Sequence, residues 1–278
     1  VSLGNLGVLL KDTNRLGEAE TFLRRALDIT LKNYDPDHPK VALCLDNLAS
    51  LLLTTHHVVE AEQFFQRALE IDEQNYGPRH PAIATDLNNL AMLLKECNRL
   101  TEAEPLMRRS GKIFEQHFGR DHPEHAKALN NLAGLLKDTD RLAEAEPLYR
   151  RALAIDEASY GPEHPEVARD LNNLAELLSV TNLMTEAEPL YRRALKIYEA
   201  SYGPENPALA TVIINLAQLL QENNRLAEAE PLIRRALEIK VLSYGPNHPD
   251  IALCLNNLAS LLHDTNRLAE AEPLYRRA

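Results

Sequence analysis

The stretch "SYGPEHPEVARDLNNLAELL", from Ser159 to Leu178, decides the fold because it recurs along the chain. Close copies are "NYGPRHPAIATDLNNLAMLL" from Asn75 to Leu94 and "SYGPNHPDIALCLNNLASLL" from Ser243 to Leu262. The second asparagine of each copy falls on a grid with a spacing of 42 residues. A constant spacing in the range of about 20 to 50 residues is typical of a solenoid, in which each unit buries its apolar face against its neighbours. The sequence therefore predicts one repeat array.

The first half of a unit has the pattern of an amphipathic helix. Leu129, Leu132 and Leu136 follow the spacing of one helical face. We expect this first helix to run from about Pro123 to Lys137, with the proline at its first position.

The second half of a unit predicts another helix with a defined beginning and end. Because proline is tolerated only near a helix start, Pro147 indicates a beginning close to Ala143. Gly161 suits the left-handed residue that follows a helix, and Pro162 prevents continuation. His164, held extended by the next proline, is expected to cap the first helix of the following unit. Each unit is therefore predicted to be a helical hairpin.

The register predicts an all-α protein of seven such units, arranged as an α-solenoid over residues 1–278 without a linker. Their expected boundaries are 1–38, 39–80, 81–122, 123–164, 165–206, 207–248 and 249–278. The first and last units are truncated inside helices, so we expect the parent protein to continue in both directions.

The motifs "LNNLA", "AEAEPLYRRAL" and "YGPxHP" resemble the long form of the tetratricopeptide repeat, as in kinesin light chains and related bacterial repeat proteins. The period of 42 residues is longer than the common unit of about 34. The extra length lies in the second helix and the connection. The resemblance implies a right-handed superhelix whose first helices line a concave surface that holds extended peptides.

One asparagine per unit faces away from the apolar stripe. Asn131 lies roughly 160° from the centre of the leucine stripe on a helical wheel. An amide supplies both a donor and an acceptor, as the backbone of an extended peptide requires. The alternative is that each asparagine bonds to a neighbouring helix and organises the stacking. The candidate peptide-binding residues of this kind are Asn47, Asn89, Asn131, Asn173, Asn215 and Asn257.

Four cations share the same region of the middle units: Lys95, Lys127, Lys137 and Arg169. We expect a locally basic groove in a chain whose net charge is −11, and hence a preference for acidic peptides. Separate solvated side chains are the alternative reading.

Two further patterns give structural expectations. An acid and an arginine three residues later, such as Asp138 and Arg141, are present or lost together, which favours an ion pair across the hairpin turn. The third unit carries Ser110 and Gly111 where other units have "AL", and His125 where others have an aliphatic residue. This predicts either a flexible junction with the fourth unit or a gap filled by a nearby phenylalanine.

Several functional classes are disfavoured by the sequence. No nucleophile lies in a one-off catalytic setting, and the glycines fit helix ends rather than a phosphate loop. The histidines before proline are a full unit apart, too far to share a metal. Negative net charge opposes nucleic-acid binding. We expect no enzyme activity, no metal and no cofactor.

Localisation and function follow from the same features. The sequence shows no apolar run long enough to cross a membrane and no signal peptide, and Cys44 and Cys254 are too far apart to pair, so a cytoplasmic protein is expected. The predicted function is a non-enzymatic protein-protein interaction scaffold that binds a peptide or partner segment. The alternatives are a structural spacer or self-assembly module, or a regulatory arm of a larger bacterial signalling protein. The oligomeric state stays open.

Overall fold

The structure, a computed structural model, describes residues 2–246 and 248–278, which form fourteen α-helices and no strand. The first helices of the hairpins are α1 (Ser2–Asp12), α3 (Pro39–Thr54), α5 (Pro81–Glu96), α7 (Pro123–Asp138), α9 (Pro165–Val180), α11 (Pro207–Glu222) and α13 (Pro249–Asp264). The second helices are α2 (Leu16–Asn33), α4 (Val58–Tyr76), α6 (Leu100–Phe118), α8 (Leu142–Tyr160), α10 (Met184–Tyr202), α12 (Leu226–Tyr244) and α14 (Leu268–Arg277).

These helices fall into two compact units, one ending at Asp140 and the other beginning at Arg141. Within each unit, consecutive helices pack as antiparallel hairpins, and the second helix of one hairpin packs on the first helix of the next. The all-α fold class is therefore confirmed.

The helix starts confirm the predicted capping role of the residue before proline. Nδ1 of His80 accepts a hydrogen bond from the backbone N–H of Ala82 at 3.2 Å. Asn206 takes the same role with its side-chain oxygen, 2.9 Å from the N–H of Ala208. The ring of His80 also stacks on Tyr76, with 4.4 Å between the ring centroids. This stack holds the connection against the end of the preceding helix.

The two kinds of turn use left-handed backbone geometry. Gly77 follows α4 with φ of 77°, in the region that favours glycine, as predicted for this position. Inside the hairpins the left-handed residue is asparagine, aspartate or histidine, for example Asn98 with φ of 57°. The N–H of Arg99 then donates to the carbonyl of Leu94 at 2.8 Å, which satisfies a carbonyl at the end of α5.

Small and branched apolar residues fill the core between hairpins. In the first unit, Ile83 and Leu87 of α5 pack with Phe114 of α6 and Ala128 of α7. In the second unit, Ile213 of α11 lies in a cluster that joins α11, α12 and α13. The alanines allow the helices to approach closely, so an array without tryptophan can still exclude water.

The predicted ion pair across the hairpin turn is wrong. The Arg99 guanidinium bonds to Glu102, three residues later on its own helix, at 2.8 Å. It also bonds to Glu62 of the preceding hairpin at 2.7 Å rather than to Glu96, the acid three residues before it that corresponds to Asp138 before Arg141. Arg225 and Arg267 repeat this geometry. Arginine at this position links consecutive second helices, which a comparison of residues within one turn could not show.

Side chains bond to backbone carbonyls at the junction of the third and fourth hairpins. Oγ of Ser110 is fully buried and donates to the carbonyl of Ala84 at 2.6 Å. Nδ1 of His125 lies 3.2 Å from the carbonyl oxygen of Gly111, and Phe114 is buried beside it. Within 4 Å of the Cβ position of Gly111 lies only Ala128, at 3.7 Å, so His125 and Phe114 border the position of the missing leucine without filling it. The flexibility expected at this junction stays a prediction.

Candidate functional site

The candidate site is the face of the first helices that carries the six asparagines, here called the asparagine face. Within the first unit α1 contacts α3 and α3 contacts α5, and within the second unit α9 contacts α11. The asparagines of this face are all half-buried, neither in the core nor fully in solvent: Asn47, Asn89, Asn131, Asn173, Asn215 and Asn257.

Two of the six asparagines bond to the neighbouring hairpin. Nδ2 of Asn131 donates to Oδ1 of Asn88 at 2.7 Å, and Nδ2 of Asn215 donates to Oδ1 of Asn172 at 3.1 Å. In both cases the second asparagine of one "NN" pair reaches the first asparagine of the preceding pair. At these two positions the amide ties first helices together, as the stacking alternative expected.

Other asparagines of the face have a different environment. Asn47 and Asn5 line a cavity of about 410 Å³ between α1, α2 and α3. Nδ2 of Asn257 is buried and has no hydrogen-bond partner among the described residues. Asn173 accepts a hydrogen bond from the adjacent Asn172 at 3.4 Å. The asparagine face is therefore chemically uneven along its length.

Three of the four predicted cations, Lys95, Lys127 and Arg169, lie beside carboxylates. Nζ of Lys95 is 2.9 Å from Asp138, and Nζ of Lys127 is 2.9 Å from Glu124. Lys137 is half-buried near the end of α7. Because these pairs compensate the positive charge locally, little of it remains for a distant ligand. The preference for acidic peptides stays a prediction.

Arg169 stands at the centre of an acidic cluster in the second unit. Its Nη2 lies 3.2 Å from Oδ2 of Asp156 and 2.9 Å from Oδ1 of Asp170, and its Nη1 bonds to Glu166. Asp156 and Asp170 are almost fully buried, with 1% and 0% of their surface exposed. The guanidinium thus neutralises two carboxylates inside the junction of α8 and α9.

A second acidic cluster lies in the first unit and has no such arginine. Asp46 of α3, Asp72 of α4 and Asp86 of α5 line a cavity of about 560 Å³, here called the acidic pocket. Asp72 is 7% exposed and Asp86 is 2% exposed. Each of the three has one carboxylate oxygen that is buried and has no hydrogen-bond partner among the described residues.

The electrostatics of the acidic pocket follow from burial. Removal from water raises the pKa of Asp72 to about 6. Burial also raises the pKa of Asp86 to about 7; a hydrogen bond with Asp46 opposes this shift, and the neighbouring charges of Asp72 and Glu73 reinforce it. The pKa of Asp46 is raised well above its usual value, again first by burial and then by Asp86. Near neutral pH the pocket therefore holds protons that solvent-exposed carboxyls release.

The lysine that lines this pocket bonds to a tyrosine and not to the aspartates. Lys40 lines the cavity, yet its Nζ donates to the Tyr34 hydroxyl at 2.6 Å and lies 4.3 Å from the centre of the Tyr34 ring. His38 and His80 also line it, and both use Nδ1 to cap a helix. Among the described residues, none of the three aspartates forms an ion pair.

Neither acidic cluster was predicted from the sequence, although a signal was present. Asp72 and Asp156 occupy equivalent positions of the 42-residue grid, as do Asp86 and Asp170. The other copies of the first position include Phe114, and those of the second include apolar residues. An acid at the second position, which elsewhere is Cys44, Ala128, Val212 or Cys254, marks a buried polar site.

The described part of the chain contains no group of three or more histidine, cysteine, aspartate or glutamate side chains arranged to hold a metal ion. In the same residues no helix combines the length and the apolar character needed to cross a membrane.

Paired antiparallel helices in fixed register, with one face of first helices left accessible, define a helical-repeat protein of the scaffold class. The sequence pattern of the tetratricopeptide repeat family matches residues 1–74, 58–116, 87–158, 124–182, 172–240 and 215–278. The chain therefore belongs to the tetratricopeptide repeat family. That fold is typically non-catalytic. The sequence matches none of the curated proteins.

Solved structures support the same fold. BtubC (BKLC) from P. vanneervenii has a TM-score of 0.68 and 24% identity, over 83% of this chain and 92% of that one. A kinesin light chain-like protein of Podosopora anserina with nearly identical TPR-like repeats has a TM-score of 0.61 and 21% identity, over 74% and 98%. The apo form of RapI has a TM-score of 0.72 and 16% identity, over 99% and 94%. These similarities establish the fold.

Proposed function

We propose that this protein is an interaction scaffold that binds an extended polypeptide segment on its asparagine face. Membership of the tetratricopeptide repeat family supports a protein-interaction scaffold in general. The binding face rests on one observation, which is that the first helices from α3 to α13 each present a half-buried amide at the same position. Half-buried amides can exchange hydrogen bonds with a peptide backbone while the apolar stripe of the same helix stays in the core.

The cavity beside Asn47 supports this proposal in the first unit. It combines the amides of Asn5 and Asn47 with apolar surface from Ile29 and Leu43. Polar groups that converge on an apolar recess are the usual composition of a ligand site. A side chain of the bound segment can enter this recess while its backbone bonds to the amides.

A second candidate function is a spacer, in which the asparagines serve stacking alone. The bonds of Asn131 to Asn88 and of Asn215 to Asn172 favour it at those two positions. The two functions therefore depend on different asparagines. Variants of the two groups can be compared with each other in the same protein.

The test compares two double variants in a peptide-array screen with thermal unfolding measured in parallel. Asn47→Ala with Asn89→Ala removes amides that form no bond between hairpins among the described residues, so we expect weaker peptide capture at nearly unchanged stability. Asn131→Ala with Asn215→Ala removes the bonds between hairpins, so we expect lower stability. If the Asn47 and Asn89 variant captures every peptide as the unmodified chain does, the binding proposal fails and the spacer function stands.

A further inference from the structure

The two acidic clusters are copies of one arrangement that differ at a single neighbouring position. Asp72 and Asp86 stand two repeats before Asp156 and Asp170. The residue before the second acid is Arg169 in the later copy and threonine in the earlier one. The later copy therefore shows what the same backbone geometry holds when a guanidinium is present.

In the later copy the guanidinium bridges both carboxylates. One nitrogen of Arg169 lies 3.2 Å from Asp156 and 2.9 Å from Asp170. This arrangement places a planar group with several N–H donors between acids contributed by a second helix and the following first helix. Arginine suits such a site because its donors can serve two carboxylates at once.

In the earlier copy the corresponding space is a cavity. Thr85 takes the place of the arginine and is exposed, and its hydroxyl donates to the carbonyl of Pro81 at 3.3 Å. The acidic pocket has a volume of about 560 Å³, within the range of about 300 to 1,000 Å³ of ligand pockets. Asp46 adds a third carboxyl, which the later copy replaces with Asn130.

Buried carboxylate oxygens without partners are unfavourable until a donor reaches them. One buried oxygen of each of Asp72 and Asp86 is in this condition among the described residues, and Lys40 is engaged by Tyr34, whereas Arg169 bonds to both acids of the later copy. We propose that the acidic pocket binds the basic side chain of a polypeptide partner, arginine in preference to lysine. This inference rests on the proposed function, since the side chain enters from a segment bound on the asparagine face.

An organic cation fits the described residues better than a metal ion. No three carboxylate, histidine or cysteine groups of the described chain converge closely enough for metal coordination. A guanidinium spans separated oxygens through hydrogen bonds and carries its own apolar stem, which can lie against Leu43 and Tyr76 at the pocket wall.

The experiment measures binding of short alanine-glycine peptides to the complete 278-residue chain by fluorescence anisotropy. Three peptides differ only in the central residue, which is arginine, lysine or citrulline, the last being the neutral analogue of arginine. We expect the arginine peptide to bind about tenfold or more tightly than the citrulline peptide, because a hydrogen bond between charged groups is absent from the latter. The lysine peptide should lie between them.

Variants locate the effect. Asp72→Asn with Asp86→Asn should remove the difference between arginine and citrulline. Thr85→Arg should also remove it, because the introduced guanidinium occupies the pocket as Arg169 does in the later copy. Glu163→Gln with Glu205→Gln removes the same number of charges from exposed connections and should leave the difference intact. Circular dichroism checks that each variant folds. Thr85→Arg is expected to fold because its guanidinium can pair with the buried aspartates.

The opposing outcomes are distinct. Equal binding of the arginine and citrulline peptides, or a difference that persists in Thr85→Arg, overturns the proposal. So does calcium chloride alone, if it stabilises the unmodified chain but not the Asp72 and Asp86 variant, since the pocket is then a metal site. When arginine and citrulline peptides bind equally while Asn47→Ala with Asn89→Ala still weakens both, the pocket proposal fails and the proposed function survives.

Discussion

Asp72→Asn tests whether the acidic pocket destabilises the protein when its carboxyls ionise. Burial alone raises the pKa of Asp72 from 3.8 to about 6. A difference of that size between folded and unfolded chains corresponds to about 3 kcal/mol at a pH above both values. Because Asp72 is only 7% exposed, solvent screening removes little of this energy.

The direction follows from proton linkage. Below about pH 3 the carboxyl is protonated in both the folded and the unfolded chain, so its ionisation costs nothing. As the pH rises towards 6 the unfolded chain ionises first, and the folded protein loses stability. Asparagine cannot ionise. We therefore expect the free energy of unfolding of Asp72→Asn, measured relative to that of the unmodified chain, to increase by about 3 kcal/mol as the pH rises from 4 to 8.

The assay is urea unfolding of both proteins across this pH range, with amide hydrogen exchange in α4 and α5 as a local readout. Local exchange is needed because repeat arrays can unfold in parts. The other titratable groups of the pocket are Asp46 and Lys40 on α3, Tyr76 on α4 and Asp86 on α5, with the two capping histidines at the connections. These groups are present in both proteins, so the comparison isolates Asp72 and its effect on them.

Asp156→Asn is the matched control, since it removes the equivalent acid beside a bound guanidinium. There the carboxylate lies 3.2 Å from Arg169, so its loss should lower stability at pH 8, the opposite sign. A stability difference between Asp72→Asn and the unmodified chain that is the same at pH 4 and pH 8 would refute the reasoning. So would a loss of stability at pH 8 as large as that of Asp156→Asn.

Two further changes test the packing. Arg169→Ala should lower the free energy of unfolding by about 3 kcal/mol in urea titrations at pH 8, at the low end for a broken buried pair because the guanidinium is 32% exposed. An unchanged midpoint would show that the burial of Asp156 and Asp170 does not depend on Arg169 for stability. Gly111→Ala should raise the free energy of unfolding by about 0.5 to 1 kcal/mol, since a Cβ there meets only Ala128 at an ordinary 3.7 Å. A lower midpoint would show that His125 tolerates no added methyl.

The helical hairpins could be predicted from the sequence because each signal acts within one unit. The residue before proline, the glycine after the second helix and the leucine spacing are all local, and the structure places them as expected. The same locality explains the error at the turn. Glu96 and Arg99 are close along the chain, but the bond that forms reaches Glu62 on the preceding hairpin. Its identity depends on how second helices pack, which no single unit reveals.

For the asparagine face, too, the sequence predicts what lies within one helix but not the contacts between hairpins. A helical wheel places Asn131 outside the core, and the structure agrees that it is half-buried. The wheel cannot say that Asn88 of the preceding hairpin is within 2.7 Å. Whether an amide is available to a ligand depends on which residue of the neighbouring first helix lies next to it. That residue is not the same in every unit, because the first residue of the "NN" pair is an asparagine at Asn88 and an aspartate at Asp46.

In a repeat array the backbone is nearly constant, so chemical individuality resides where side chains depart from the repeat. The junction of a second helix with the next first helix is filled by Phe114 and Ala128 in one place and by a carboxylate pair bridged by Arg169 in another. At Asp72 and Asp86 the same junction is acidic and open. Apolar filling and internal ion pairing both complete the scaffold from within. In the acidic pocket, by our proposal, a side chain of a partner fills the space and pairs with the carboxylates. The acids at Asp72 and Asp86 are therefore the strongest indication of specificity in the chain.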